Sequence, residues 1–483
     1  MSPLRNLAAL VLALAAFNLF AENDDDRFEL KFHRNLPFSG GRVTIDHRFG
    51  ELVVRTHPGS DVQVRATIRS SDDEIGKQIR IITSETGGVS IRTDYPEIRS
   101  RGGRLSFSVD MTVNVPANAP VTARNNFGNI DVRGLQQASV IENKQGSVDV
   151  QDMRGAQSVS NTFGSIDVRN VSGALTIANQ NGSIDVQKVE GALKATNRFG
   201  SIDVSDVRDG ATIINANGSV DAMDIGGPLK VTNSFGQIRA STIAGTADLT
   251  SSNARIEVSN VAGAAVLRNS FGNVVATTIR GSLTVDGNNS KVEATGIGGA
   301  ATIDTSFAGI VLKDVGGAAT VKNNNGSVKV SDVATTLTAE TQFGALHAER
   351  IRGTATVTNN NGSVTLNEIG SHVRVKTSFA GVFVTNTGGG ITVSNSNGSI
   401  SVAGLRSGCH PLSLTTNFSA IKVALPAGAS YDVTARTSFG RIHTDFPITT
   451  TTISDQNLAG TIGRGGCRMD LNNSNGNITI TRE

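Results

Sequence analysis

The sequence predicts an all-β protein, built as a parallel β-solenoid (β-helix) of about 18 residues per coil. A corner motif of Phe or Asn (Gln once, at Gln145), usually followed by Gly, a small or polar residue and an aliphatic residue, recurs every 18 residues from Phe127 to Asn397 without slip, through sixteen consecutive units. Within each unit apolar and polar residues alternate, which is typical of strands. A repeat of this length cannot bury a core alone, so its coils must stack.

Each unit divides into two short strands, at about positions 3–7 and 12–16 when the Phe or Asn is numbered 1. Apolar residues occupy positions 4, 6, 9, 13 and 15, so the inward parity changes from even to odd. Such a change requires a bend, because strand side chains alternate strictly. Gly at positions 2 and 11 marks the corners, and Asn at position 17 is expected to form a corner ladder.

The alternation of Phe and Asn at position 1 leaves the coil length open between 18 and 36 residues. A 36-residue coil would stack Phe on Phe and Asn on Asn at every level. An 18-residue coil suits the core better, because Val and Ile fill the gap of about 10 Å between two packed sheets. The shorter coil is preferred. The Phe side chains, flanked by Gly and aliphatic residues, are expected to lie in the core.

The repeat divides the chain into four parts. Residues 1–21 read as a secretory signal peptide, with Arg5 before an apolar run that is too short to span a bilayer comfortably. Residues 22–120 are strand-rich but lack the repeat, and we expect an N-terminal β cap over the open edge of the solenoid. Residues 121–404 form the regular solenoid, and residues 405–483 form irregular C-terminal β coils and a cap. The mature chain is expected to contain no transmembrane segment.

The amino-acid composition argues against several classes of function. The net charge of +2 gives no field that would favour nucleic acid or a membrane surface. The absence of Trp and the presence of only 2 Tyr leave few aromatic platforms for sugars or bases. The seven His residues are scattered without metal spacing or a neighbouring nucleophile motif. We therefore predict no catalytic residues, no cofactor and no enzyme activity.

An acidic row is the strongest candidate site. Position 5 faces outward and carries Asp in six consecutive units, at Asp131, Asp149, Asp167, Asp185, Asp203 and Asp221. Stacked about 4.8 Å apart, these carboxylates would repel one another. They could be solvated, or partly neutralised by Arg133, Arg169 and Lys188. The third alternative is Ca²⁺ held by Asp149, Asp167, Asp185, Asp203 and Asp221, although the Gly-Gly-x-Gly-x-Asp signature of calcium β-rolls is absent.

The two cysteines, Cys409 and Cys467, could form a disulfide if the chain is exported. They lie about three repeat units apart, or roughly 14 Å at strand spacing, whereas bonded Cα atoms lie roughly 4.4–6.8 Å apart. A bond therefore requires the C-terminal segment to fold back or to leave the repeat register, and the sequence leaves both outcomes open.

The C-terminal segment carries the corner motifs TSFG (437–440) and SNGN (474–477), a strand LPAGASYDV from Leu425, and a closing GTIG…NSNGNITI pattern. Together these motifs resemble a bacterial family of secreted β-strand-repeat proteins of unknown function, often labelled adhesins. They are also similar to head-domain autotransporter adhesins. The resemblance covers roughly residues 30–483. It implies an exported β-solenoid of the cell envelope and carries over no catalytic residues.

Two functions follow as expectations. The first is a non-enzymatic, exported envelope or surface solenoid, a structural or adhesin-like module that contacts envelope or surface proteins or glycans. The alternative is a calcium-dependent or polysaccharide-binding β-helix, possibly carbohydrate-active, that uses the acidic face. In both cases the location is the periplasm, the outer surface or the extracellular space.

Overall fold

The computed structural model describes residues 28–97 and 105–483, and it is a parallel β-solenoid capped at both ends. The predicted signal peptide, residues 1–21, lies outside the described residues. In register, Ile166 pairs with Ile184 and Val168 with Val186, so successive coils are offset by 18 residues. The prediction of an 18-residue coil is thus confirmed, and the 36-residue alternative is wrong because the two short strands of one unit already close a coil.

The N-terminal part, before the regular coils, consists of β1 (Phe28–Pro37), β2 (Arg42–Asp46), β3 (Leu52–His57), β4 (Asp61–Ser70), α1 (Asp73–Gln78), β5 (Arg80–Ser84), β6 (Gly88–Asp94) and β7 (Phe107–Pro116). Strands β2 and β3 form the coil next to the regular ones, since β2 pairs with β8 (Val121–Phe127) and β3 with β9 (Ile130–Arg133), both in parallel. On their other side β2 pairs with β6 and β3 with β7, also in parallel, so β6 and β7 lie one coil farther out. Strand β4 pairs antiparallel with β1 and β7. This antiparallel sheet covers the first open end of the solenoid.

The regular coils alternate between two sheets, with even-numbered strands in one and odd-numbered strands in the other. After β8 and β9 they are β10 (Ser139–Gln145), β11 (Val148–Arg154), β12 (Gln157–Phe163), β13 (Ile166–Ser172), β14 (Leu175–Asn181), β15 (Ile184–Val189), β16 (Leu193–Phe199), β17 (Ile202–Val207), β18 (Ala211–Asn217), β19 (Val220–Ile225), β20 (Leu229–Phe235), β21 (Ile238–Ile243), β22 (Ala247–Ser251), β23 (Ile256–Val261), β24 (Ala265–Phe271), β25 (Val274–Ile279), β26 (Leu283–Asn289), β27 (Val292–Ile297), β28 (Ala301–Thr305), β29 (Ile310–Val315), β30 (Ala319–Asn323), β31 (Val328–Val333), β32 (Leu337–Thr341), β33 (Leu346–Ile351), β34 (Ala355–Asn359), β35 (Val364–Ile369), β36 (Val373–Thr377), β37 (Val382–Thr387), β38 (Ile391–Asn395) and β39 (Ile400–Ala403).

The core lies between the two sheets and follows the predicted parity. In the coil of β13 and β14 the buried side chains are Ile166, Val168, Val171, Leu175, Ile177 and Asn179, at positions 4, 6, 9, 13, 15 and 17. The Asn at position 17 is thus a core residue. Its Nδ2 donates a hydrogen bond to the carbonyl of position 2, as from Asn161 to Gly146 at 2.8 Å. The same bond recurs at Asn179, Asn197, Asn215, Asn233, Asn269, Asn323, Asn359 and Asn395.

Glycine is required at the two predicted corners for different reasons. At position 2, Gly164 has a φ of +124°, which a side chain rarely adopts. At position 11, by contrast, Gly173 has no such φ, but a Cβ there would lie 2.4 Å from the Gly155 carbonyl oxygen of the coil below. A third corner was not predicted. The backbone at position 8 adopts the left-handed conformation in most coils, as at Asn170 with a φ of +55°.

The C-terminal part leaves the sequential order. Its strands are β40 (Leu412–Thr416), β41 (Ile421–Leu425), β42 (Tyr431–Arg436), β43 (Ile442–Thr444), β44 (Ile448–Ile453), β45 (Asn457–Ile462), β46 (Arg468–Asn473) and β47 (Ile478–Arg482). Strand β46 lies between β40 and β42, and β47 between β41 and β43. The last coil of the chain is therefore inserted one place back along the rod. Strands β44 and β45 continue antiparallel from β42 and cover this end.

The inserted coil brings the two cysteines together. Cys409 precedes β40 and Cys467 precedes β46, its neighbour in the sheet, and the structure joins them in a disulfide with a Cα–Cα distance of 5.3 Å. The expected separation of about three coils does not hold, because strands β42 to β45 are displaced outward by the returning chain.

Candidate interaction surfaces

A row of exposed phenylalanines runs along one edge of the solenoid. The Phe row comprises position 1 of alternate units, at Phe127, Phe163, Phe199, Phe235, Phe271, Phe307, Phe343 and Phe379. These residues are between 41% and 63% exposed. The expectation that the Phe side chains lie in the core is therefore wrong. The buried amide at position 17 ends the core, and the chain then turns at positions 1 and 2, so the ring is left outside.

The Asn side chains of the intervening units do not fill the space between the rings. The Nδ2 of Asn181 donates to the carbonyl of Thr162 in the preceding unit at 3.4 Å, and Asn253 donates to Ser234 in the same way at 3.3 Å. These amides, like those of Asn217 and Asn325, thus fold back onto the corner backbone of the neighbouring coil. Along the edge, a large apolar ring alternates with a small polar group that is held against the main chain.

At its N-terminal end the row is continued by an aromatic cluster. The ring of Phe49, one coil before Phe127, stacks on it with centroids 5.0 Å apart and an angle of 8° between the planes. Tyr95 and Phe107 meet Phe49 edge-on, at 5.0 and 5.1 Å. Burial raises the pKa of the Tyr95 hydroxyl to about 12. Two Phe rings on adjacent coils therefore stack at the spacing of the coils themselves.

The Asp row lies on the outer face of the odd-numbered sheet. Its members, Asp131, Asp149, Asp167, Asp185, Asp203 and Asp221, are in register on successive strands from β9 to β19. Asp131 is paired with Arg55 and Arg133. Asp167 is 2.6 Å from Arg169, and Asp221 is 3.4 Å from Arg239. The row is thus neutralised in part, at its ends and at one inner level; Lys188 lies at the position-8 corner of its coil.

Between these ion pairs the carboxylates are left to solvent and to weaker partners. The Oγ of Ser201 donates to Asp203 at 3.1 Å, and Gln151 donates to Asp149 at 3.4 Å. Partial desolvation raises the pKa of Asp167 and of Asp203, and in both cases the charges of the neighbouring row members raise it further. Within residues 28–97 and 105–483, no three His, Cys, Asp or Glu side chains converge as metal ligands would.

The position-8 corner forms a third lateral surface, on which one cluster of ion pairs lies. Here the guanidinium of Arg350 lies 2.6 Å from Asp332 on the preceding coil and 2.7 Å from Glu349. The hydrogen bond from Arg350 lowers the pKa of the Asp332 carboxyl. A signal for this corner was present in the sequence, because position 8 is often Asp or Asn, the non-glycine residues that best tolerate a left-handed backbone.

Two histidines are buried, His47 and His410. His47 is 4% exposed beneath the N-terminal cap, and neither of its ring nitrogens has a hydrogen-bond partner among the described residues. Burial lowers its pKa to about 4, so the imidazole is neutral at neutral pH. Among the described residues, none of the helices is long and apolar enough to cross a bilayer.

One family model matches part of this chain. The family model described as Toastrack DUF4097 matches residues 281–481. No curated protein matches the chain. Among solved structures, a chain described as a "putative cell adhesion protein" from Clostridium sporogenes ATCC 15579 is 11% identical, covers 46% of this chain and 100% of its own length, and aligns with a TM-score of 0.21. A likeness this weak supports no argument about function.

Proposed function

We propose that this chain is a non-enzymatic rod, exported to the bacterial cell envelope or surface, that acts as a structural or adhesin-like interaction module. The observation that carries the proposal is the periodic outer surface of the rod, on which the same side chains recur at every coil or at every second coil. Sixteen units at about 4.8 Å each give a length of roughly 77 Å. A surface of this kind suits extended contact with proteins or glycans more than the enclosure of a small substrate.

Two further features support export. The apolar leader at residues 1–21 has the pattern of a cleaved signal peptide. The disulfide between Cys409 and Cys467 suits an oxidising compartment, since such bonds persist outside the cytosol. The match of residues 281–481 to the Toastrack family supports the assignment to a repeat family, without indicating a reaction.

Cell fractionation tests the proposal directly. We expect the chain in the periplasmic, surface or extracellular fraction, with a mature N-terminus that follows Ala21 and with Cys409 and Cys467 oxidised. Cross-linking on intact cells, followed by mass spectrometry, should then recover envelope or surface components. Recovery of an uncleaved, reduced chain from the cytoplasm would contradict the proposal.

A second candidate function uses the Asp row to bind Ca²⁺ or an envelope polysaccharide. The favouring observation is the in-register stacking of the carboxylates and the raised pKa values of Asp167 and Asp203, because a divalent cation would relieve that repulsion. Calorimetry with Ca²⁺ on the wild type and on an Asp167→Asn, Asp185→Asn variant tests it. A polysaccharide pull-down with and without Ca²⁺ tests the glycan. Absence of Ca²⁺ heat, of glycan capture and of glycan cleavage would eliminate this candidate.

A further inference from the structure

The Phe row lies on an edge that carries almost no charge. At the four corner positions that surround it, positions 18 and 1–3, the sixteen units contain four charged residues, Lys144, Arg198, Arg255 and Lys291. Arg255 and Lys291 are turned onto Glu257 and Glu293, and Arg198 lies over the ring of Phe199. The remaining corner residues are mostly Ser, Asn and Gly. This edge therefore lacks the exposed charges that would bind a polyanion or a charged membrane surface.

The exposed area of the row matches the size of a protein interface. A Phe side chain buries roughly 150–250 Å² when it is fully covered, so a ring that is about half exposed offers on the order of 100 Å². The eight rings therefore offer about 800 Å² per chain before the flanking Ser and Asn are counted. A stable interface commonly buries about 800 Å² on each partner.

The spacing of the rings indicates what can cover them. Successive rings lie two coils apart, or about 9.6 Å, and at four of the levels between them the Asn amide is folded against the main chain. The stack of Phe49 on Phe127 shows that a second Phe fits one coil away from the first, at 5.0 Å. Each Asn level is therefore a slot that accepts one Phe ring from outside.

The row is complementary to itself. The sixteen regular units begin with a Phe level at Phe127 and end with an Asn level at Asn397, and the C-terminal coils continue the alternation beyond them with Phe418, Asn475 and Phe439. When a second rod is laid alongside in the opposite direction so that the two sets of sixteen units overlap, every Phe level of these units meets an Asn or Gln level of the other chain. The rings of each rod then enter the slots of its partner along the sixteen units, and the contact is isologous about a two-fold axis.

We propose that the Phe row is the contact surface of an antiparallel homodimer in which the phenylalanines of two rods interdigitate. The two-fold axis passes between the levels of Asn253 and Phe271, at the middle of the sixteen units. This inference does not rest on export or on an envelope partner, because it concerns the association of the purified chain with itself.

Sedimentation analysis of the full chain, purified from its producing cells, tests the association. We expect a dimer at about 10 µM, since interfaces of this size associate at micromolar or lower concentration. A variant with Phe199→Asn, Phe235→Asn, Phe271→Asn and Phe307→Asn should raise the dissociation constant by at least about 100-fold. Asn already occupies this corner in the neighbouring units, so circular dichroism and the melting temperature should match the wild type.

A matched control removes four other exposed apolar side chains that lie off the row, with Ile214→Thr, Met223→Thr, Val311→Thr and Phe383→Thr. We expect this variant to dimerise like the wild type. If both variants lost dimerisation equally, association would depend on general surface hydrophobicity, and the proposal would be overturned.

Cysteine cross-linking tests the register. With the axis at the centre, Asn253 of one chain lies one coil from Asn253 of the other, so Asn253→Cys should form an intermolecular disulfide under mild oxidation. Asn361→Cys lies far from its symmetry mate and should not. Cross-linking of both variants would indicate parallel rods and would overturn the antiparallel arrangement.

A monomeric wild type at concentrations up to about 100 µM would overturn the dimer, whatever else the row binds. Neutral-lipid vesicles and uncharged polysaccharides are the informative probes in that case. If either binds the wild type and not the four-Phe variant, the row serves a different partner and the proposal fails. Failure of export, by contrast, would leave the sedimentation result unchanged.

Discussion

In nearly every coil of the rod the core ends on one buried side chain at position 17, and in most coils this is an asparagine. Asn359 is fully buried, donates to the Gly344 carbonyl at 2.9 Å and accepts from the Gly362 amide at 2.9 Å. A buried main-chain group that loses its partner costs about 1–3 kcal/mol. The ladder therefore stabilises the corners of the coils by satisfying main-chain groups that the strand pairing leaves free.

Replacing Asn359 by alanine should destabilise the rod by about 2 kcal/mol, because both the Gly344 carbonyl and the Gly362 amide lose a partner. Asn359→Thr is the matched control, since threonine occupies position 17 at Thr305, Thr341 and Thr377. Of these threonine hydroxyls, two have no hydrogen-bond partner among the described residues and the third donates at 3.5 Å, so threonine keeps a buried side chain without the bonds of the amide. We therefore expect the threonine variant to lose nearly as much as the alanine variant. Urea unfolding followed by circular dichroism measures both, and an undiminished stability of the threonine variant would show that the hydrogen bonds are unimportant.

Stability at the N-terminal end should fall on acidification through His47. The folded-state pKa of about 4 lies below the ordinary value of 6.5, so the unfolded chain binds the extra proton between these limits. Stability is therefore lost as the pH falls from 6.5 towards 4, by at most roughly 3 kcal/mol. Hydrogen exchange of β2 and β3 measures it, and His47→Leu should flatten the dependence.

His33 provides the control for this titration, because it is exposed on β1 in the same part of the chain. We expect His33→Gln to leave the pH dependence unchanged. If His47→Leu retains the full loss of protection between pH 6.5 and 4, another group is responsible.

Asp167 and Asp332, which lie on different surfaces of the rod, should change its stability in opposite directions when each is replaced by asparagine. Desolvation raises the pKa of Asp167, so the folded state binds the proton more tightly and stability rises as the pH falls towards that pKa. The hydrogen bond from Arg350 lowers the pKa of Asp332, so its contribution is present above the ordinary pKa and is lost on acidification.

At pH 7 we therefore expect Asp167→Asn to raise the melting temperature slightly and Asp332→Asn to lower it slightly. The second loss should stay below about 1 kcal/mol, because the ion pair is exposed. Melting curves at pH 7 and pH 4 measure both variants. A lower melting temperature for Asp167→Asn at pH 7 would mean that its bond to Arg169 outweighs the desolvation.

At the scale of the strands, much of the coil was predictable from the sequence. The alternation of Ile166, Val168 and Val171, and the shift of parity before Leu175, determine which faces are buried, and the structure follows them. The side on which Phe163 lies was not predictable in the same way. An aromatic residue between a strand and a glycine corner fits either a core or an edge, and only the closure of the core by Asn161 decides it.

The C-terminal insertion was equally hidden from the sequence. The order of strands along a sheet depends on which edge the returning chain meets, and β46 has the same alternating pattern as any other strand. The two cysteines were the available signal, since a bond between Cys409 and Cys467 requires the chain to leave the sequential order. For the Asp row, spacing predicted the stacking, whereas its pairing with Arg55 depends on the cap and could not be read from the repeat.

The disulfide should hold the inserted coil in place. It closes a loop with a sequence separation of 58, for which the loss of chain entropy in the unfolded state corresponds to about 4 kcal/mol. The double variant Cys409→Ser, Cys467→Ser should therefore lose protection from hydrogen exchange in β40 to β47 and retain it in β10 to β30. Reductant should reproduce this on the wild type and have no effect on the variant. Uniform loss along the rod would contradict this local role.

At the scale of the whole molecule, the rod is an array in which each coil contacts its two neighbours. Stability then depends on keeping the register and on covering the two ends, which the antiparallel strands β1, β4 and β7 do at one end and β44 and β45 at the other. This architecture does not determine the number of coils between the two caps. Length can therefore change in steps of one coil and in no smaller step.

Deletion of residues 199–216 removes one full coil and should leave a folded rod. Strand β16 then pairs with β20 in the register that β18 now occupies, since β18 pairs with both. We expect an unchanged strand signal by circular dichroism and a melting temperature within a few degrees of the wild type.

Deletion of residues 199–207 removes half as many residues but should be far more damaging. It joins β16 to β18 through Arg208, Asp209 and Gly210, and both strands belong to the same sheet and run parallel. The connection must return along a strand of seven residues, or about 23 Å, whereas three residues span at most about 11 Å. At least one coil must therefore unravel. Limited proteolysis should cut this variant between β14 and β20 and leave the 18-residue deletion intact; equal resistance of the two variants would contradict an array that changes length only by whole coils.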